Sequence, residues 1–147
     1  MPVPTEKIGK TYPPVVYAVG REKVREYAAA VGETNPLYFD PQAARAAGYG
    51  DVLAPPMFAV VYCSSAFSGA LFDPELEIDF PRLVHGAQEF RWDQAVVAGD
   101  EITTTITVRD ISERAGLRFD TFESVSVNQR RETTCIGTWS TIVRGEE

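Results

Sequence analysis

The sequence predicts an α+β protein in which an antiparallel sheet wraps a long, central, hydrophobic helix. Three observations predict it. Residues 52–72 carry no charged side chain, and the helix inside them, Pro56–Ala70, is apolar on nearly every side, as a helix enclosed by other structure would be. From Leu83 onward the apolar spacing changes from about 3.6 residues to about 2, the strand repeat. Turn chemistry at Ala98-Gly99-Asp100, Arg114-Ala115-Gly116 and Asn128-Gln129-Arg130 cuts that second half into four long strands.

Taken in order, Tyr12–Val19 holds the β-branched run Val15-Val16-Tyr17 and is expected as a strand. In Arg21–Val31, Val24, Tyr27, Ala28 and Val31 share one helix face, and Gly32 suits the C-terminal cap. A short helix follows, with Asp40 as N-cap, Pro41 in its first position and Gly48 closing it. Pro56 opens the uncharged helix, whose flanking prolines and serines leave it too short to cross a bilayer of about 30 Å. It is therefore expected to be buried on nearly all sides of a soluble core. In the first long strand, Val84, Gly86, Gln88, Phe90 and Trp92 alternate with His85, Ala87, Glu89, Arg91 and Asp93. In the second, Ile102, Thr104, Ile106 and Val108 share a face; in the third, Phe119, Thr121, Glu123, Val125 and Val127 do; Thr133–Val143 is the fourth. Short connections between consecutive strands predict a four-stranded meander. Repeats and linkers are not apparent, so residues 1–147 are expected as one domain. A single curled sheet leaves edges and an apolar rim that a second copy or a related subunit would cover.

Composition narrows the function. The 147 residues carry 14 Lys and Arg against 21 Asp and Glu, a net charge of −7, and like charges do not run beyond doublets. That balance excludes a phosphate-tracking nucleic-acid binder and a basic membrane anchor. Cys63 and Cys135 lie far apart, and with the single His85 they do not form a metal-binding pattern, so neither a metal nor another cofactor is expected. Two isolated cysteines, and a start without a basic then apolar leader, lead us to expect a cytoplasmic location.

The most informative stretch is Tyr27-Ala-Ala-Ala-Val-Gly-Glu-Thr-Asn-Pro-Leu-Tyr-Phe-Asp40. It resembles the hydratase motif of the MaoC-like (R)-specific enoyl-thioester hydratases and 3-hydroxyacyl-thioester dehydratases, which have the hot-dog fold. Gly32, Asn35, Pro36, Leu37, Asp40 and Ala43-Ala44 match, and the spacing is undisturbed. The resemblance implies a catalytic Asp where Glu33 stands and a catalytic His where Tyr38 stands. A Glu reaches one methylene further than Asp, and a phenol with an ordinary pKa of about 10 is a weak base near neutrality. The degenerate positions Glu33, Asn35 and Tyr38 therefore imply a chain without a complete catalytic pair. Read without the resemblance, Glu33 is a solvated loop residue, Asn35-Pro36 is turn chemistry and Tyr38 a core aromatic.

Three further stretches, Leu53-Ala-Pro-Pro-Met-Phe58, Val84-His-Gly-Ala-Gln-Glu-Phe90 and Val97-Ala-Gly-Asp100, are similar to the non-catalytic half of double-hot-dog dehydratases and to the A-type subunit of heterodimeric ones. The resemblance implies a subunit that binds the acyl chain of a coenzyme A or acyl-carrier-protein thioester in fatty acid metabolism. Its catalytic hot-dog partner would carry the intact Asp and His. Pro56, Met57, Phe58, Tyr62, Ser65 and Ala66 are the candidate substrate-binding residues, with backbone amides near Met57–Phe58 able to polarise a thioester carbonyl. Two alternatives stay open: a self-sufficient homodimeric hydratase using Glu33, and a non-enzymatic acyl-thioester binding protein. His85, alone on its strand, reads as structural, and Cys63 as a small hydrophobe.

Overall fold

In the computed structural model, which describes residues 2–145, α1 (Arg21–Ala30) and α2 (Pro41–Ala46) precede the central helix α3 (Ala59–Leu71). A short strand β1 (Val15–Ala18) comes before them, and β2 (Leu83–Trp92), β3 (Glu101–Arg114), β4 (Leu117–Val127) and β5 (Thr133–Val143) come after. Together the five strands form one antiparallel sheet in the order β1-β3-β4-β5-β2.

That order corrects the expected meander. Only β3, β4 and β5 follow one another across the sheet, while β2 lies at the far edge against β5. Residues 93–100 are long enough to cross the end of the sheet, and they are held there by backbone bonds. Asp93 donates to Thr134 O, Ala54 to Val96 O, Ala98 to Val52 O and Gly99 to Val19 O. By contrast, Arg114 and Leu117 pair directly, so the β3–β4 turn is the two-residue kind that needs positive φ twice; Ala115 has φ 52° and Gly116 75°.

Both small helices end and begin as their sequences imply. Gly32 at φ 79° donates to Ala29 O and Glu33 to Ala28 O, the paired bonds of a Schellman cap on α1. Val24 and Ala28 are buried beneath α1, but Val31, expected on the same face, is 54% exposed because it lies past the last turn. The Asp40 carboxylate accepts from Gln42 N at 2.9 Å, and Gly48 closes α2.

One expectation about burial is corrected. α3 is buried on one face, through Ala59, Tyr62, Cys63, Ala66 and Ala70, not nearly all round. It packs over β1, β3 and β4, and Phe67 reaches Trp139 of β5 at 4.5 Å between ring centroids. Five strands curl only part-way about it, leaving Met57, Ser64, Ser65 and Gly69 exposed. In β4 the face against the helix is Asp120, Phe122, Ser124 and Ser126, all fully buried. Phe119, Thr121, Glu123, Val125 and Val127 lie half-buried on the outer face.

Polar side chains on that inner face survive because they satisfy one another. Ser126 Oγ meets Thr104 Oγ1 at 2.8 Å and Cys63 Sγ at 3.4 Å, and Trp139 Nε1 donates to Ser124 Oγ at 2.9 Å. Further along, Arg118 grips the buried Asp120 carboxylate through Nε at 3.0 and 3.1 Å and through a terminal nitrogen at 2.9 Å.

Candidate functional site

The sequence motif folds into a compact platform beside the start of α3. Glu33 is fixed as the residue after the α1 cap, its amide bound to Ala28 O. Asn35 uses its side-chain oxygen to accept from Leu37 N at 3.0 Å, which nucleates a 3₁₀ turn over Pro36–Tyr38. Leu53 N donates to Leu37 O at 2.8 Å and so ties that turn to the strand leading into Pro55-Pro56. Arg21 holds the other side of the platform, its fork on Asp51 at 3.0 and 2.6 Å.

Two recesses flank the Pro55-Pro56 ridge. One, of about 370 Å³, is bordered by Tyr27, Val31, Glu33, Pro55, Pro56 and Met57. The other, of about 160 Å³, also has Pro55 and Pro56 in its lining; Tyr38, Tyr62, Trp92 and Thr134 border it along with the residue 93–96 segment. Glu33 and Tyr38 thus border different recesses, close enough for the carboxylate to act on the phenol electrostatically. Burial, then the charge of Glu33 and of Tyr49, pushes the Tyr38 phenol above its ordinary value of 10.0. Tyr62, deeper in, is pushed higher by burial, against a bond to Thr134 that pulls it down. Both phenols are neutral at physiological pH, so they donate hydrogen bonds but do not remove protons.

At the helix start the donor count is small. Pro55 and Pro56 have no amide hydrogen, and the Phe58 amide is bound to Pro55 O at 2.8 Å. The Met57 amide has no acceptor among the described residues, and Met57 borders the larger recess. The Trp92 indole nitrogen donates to Pro56 O at 2.8 Å and clamps this turn to the end of β2.

Of the residues singled out in the sequence, Glu33, Tyr38, Pro56, Met57 and Tyr62 border the two recesses. Asn35 shapes the turn and stays exposed. Phe58 and Ala66 face the core, Phe58 amid the rings of Tyr17, Tyr27 and Tyr62, while Ser65 is exposed away from both recesses. Trp92 and Thr134 were not singled out. They reach the site only because β2 pairs with β5 at Trp92 and Cys135, a long-range pairing with no local signal. Among the described residues no helix is long and apolar enough to cross a membrane, and no cluster of three or more His, Cys, Asp or Glu is placed to hold a metal.

Known proteins agree with this architecture. A relative from Saccharopolyspora erythraea, designated a UPF0336 protein, is 43% identical over 146 residues, covering 99% of this chain and 94% of its own. The solved C-terminally truncated HadBC (3R-hydroxyacyl-ACP dehydratase) complex from Mycobacterium tuberculosis contains a chain that superposes with a TM-score of 0.83. That match covers 95% of this chain and 99% of the other at 24% identity, and it bears on the fold alone. A MaoC-like dehydratase superposes with a TM-score of 0.84 at 26% identity, over 95% of this chain and 42% of its own. The description "FAS1-like, dehydratase domain region" matches residues 6–135. The chain therefore belongs to the FAS1-like dehydratase-region family, and its fold is the hot dog of the MaoC-like dehydratases.

Proposed function

We propose that this chain is the acyl-binding subunit of a (3R)-hydroxyacyl-thioester dehydratase, working in the cytoplasm in fatty acid metabolism beside a catalytic hot-dog partner. The observation that carries the reading is Tyr38. It stands where the family motif has its imidazole, and its phenol is held protonated by burial and by Glu33. Hydration of a trans-2-enoyl thioester adds hydroxide at C3 and a proton at C2, so one group must take a proton from water while another delivers one. Tyr38 does not perform the first task. The partner's Asp and His would perform both, while this chain offers the apolar recess lined by Pro55 and Pro56 and the turn that Trp92 clamps.

One observation favours a second reading, a self-sufficient homodimeric hydratase. Glu33 borders the same recess as Met57, whose amide has no acceptor among the described residues, so a carboxylate and an unpaired donor lie at one recess. Assay of the purified chain alone on a trans-2-enoyl thioester separates the two. Turnover barely above the uncatalysed rate supports the subunit reading; robust turnover that is lost in Glu33→Gln establishes the second.

A further inference from the structure

The end of the sheet away from the Pro55-Pro56 site holds a further recess, of about 380 Å³. Trp92 and Cys135 pair near that site, whereas Leu83 and Val143 pair at the opposite end, where the β3–β4 turn also lies. Val3 and Pro4 of the N-terminal segment, residues 77 and 79, Gly116 of the turn and the end of β5 wall this recess. Two of its backbones touch, since a Cβ on Gly145 would lie 2.7 Å from Gly116 O. Glu77 occupies the left-handed region at φ 52° without being a glycine. Arg118 Nη1 holds it there, donating to its carbonyl at 3.2 Å.

Arg118 lines the recess although its side chain is mostly buried, and its partner Asp120 is buried completely. Apolar residues of similar volume serve stability as well as a buried ion pair does, so the pair leaves its charge open to another use. A guanidinium has five N–H groups. Nε and Nη2 each spend one on Asp120, and Nη1 spends one on Glu77 O. One N–H on each terminal nitrogen therefore has no acceptor among the described residues. Arg144 and Glu113 also line the recess, and their side chains make no hydrogen bond or ion pair among the described residues. Asp79, by contrast, is paired with Arg82 at 3.4 Å.

The mixed charge of the lining selects the ligand. Arg82, Arg118 and Arg144 stand against Glu77, Asp79 and Glu113. A phosphate would meet three carboxylates, and a plain cation would leave the open N–H groups of Arg118 unfilled. A zwitterion satisfies both signs, with two carboxylate oxygens that suit a guanidinium fork. Val3, Pro4 and Val143 supply an apolar wall, and the volume lies in the range of about 300–1,000 Å³ usual for small-molecule pockets. We propose that this recess binds a free aliphatic α-amino acid, its carboxylate on Arg118 and Arg144 and its ammonium on Glu113. The inference is independent of the acyl-binding reading above.

The test is calorimetry on the full chain with L-leucine, with N-acetyl-L-leucine, which lacks the ammonium, and with L-leucinamide, which lacks the carboxylate. Leucine should bind saturably, and each derivative at least about tenfold more weakly, the loss of one hydrogen bond to a charged group. Arg144→Gln and Glu113→Gln, both at exposed residues, should fold as the wild type does and each weaken leucine by a similar factor. Arg118→Lys keeps a cation beside Asp120 but gives up the planar fork, and should weaken leucine as well. No saturable binding of leucine at millimolar concentration overturns the site, as does an equal affinity for leucine and either derivative. A leucine affinity unchanged in both Arg144→Gln and Glu113→Gln overturns it too. Competition between leucine and a trans-2-enoyl thioester would likewise overturn it, because it would put leucine in the recesses at the other end of the sheet.

Discussion

Replacing Arg118 with Met probes a buried ion pair on the inner face of the sheet. The Arg118 side chain is 11% exposed and Asp120 not at all, and three contacts of 2.9–3.1 Å join them. The same guanidinium donates to Glu77 O at 3.2 Å. Met keeps the aliphatic stem and deletes the charge, so the packing loss is small and the carboxylate is left alone in the core. Breaking a buried pair by removing one partner costs about 3–5 kcal/mol. The pH dependence has a definite sign. Burial raises the Asp120 carboxyl above 3.8, with Arg118 pulling it back down. A raised carboxyl favours the folded state below its unfolded pKa, and that advantage is lost as pH rises through the folded value. Without Arg118 the folded value climbs further. The variant's deficit should therefore be smallest near pH 4 and reach its full size at neutrality. Urea unfolding, followed by the fluorescence of the buried Trp139, measures it at each pH. A deficit under about 1 kcal/mol at neutral pH, or one independent of pH, would refute the reasoning.

Three other outcomes follow from packing and burial. Gly137→Ala puts a Cβ on Ser124 Oγ and within 2.8 Å of Trp139 Nε1 and 2.9 Å of Phe90 Cε1, so it should cost about 1–3 kcal/mol in chemical denaturation. Cys63 and Cys135 are both buried thiols pushed up by burial, Cys135 to about 12, so neither should react with iodoacetamide in the native protein while both should after unfolding in urea. Ala66→Phe overfills the core and should lower the thermal midpoint by several degrees, whereas Ser65→Phe, on the exposed side of α3, should fold normally.

Local chemistry made much of this molecule legible. Gly32 after an apolar stripe, Asp40-Pro41 before an alanine-rich turn, and Pro56 at the head of an uncharged run each fix an element end through bonds within a few residues. Strand positions followed from period alone. Strand order did not, because the pairing of β2 with β5 is decided by where residues 93–100 can cross, and nothing near Trp92 or Cys135 encodes it. Which face of β4 is buried was not legible for a related reason. Asp120, Ser124 and Ser126 look solvent-facing until Arg118, Trp139, Thr104 and Cys63 are brought to them across the core. At the site, Glu33 and Tyr38 lie near the start of the central helix. The motif gave no sign that the two would border different recesses sharing the Pro55-Pro56 segment, or that Trp92 would clamp it.

The central claim, that proton transfer is supplied by a second hot-dog chain and not by this one, is tested most directly by reconstituted turnover. This chain is mixed with a partner bearing the intact Asp and His, and hydration of a trans-2-enoyl thioester is followed. The account predicts activity that survives Glu33→Gln in this chain with little change and falls by about 10²- to 10⁴-fold when the partner's catalytic His is replaced. Activity that instead collapses with Glu33→Gln and is indifferent to the partner's His would contradict it.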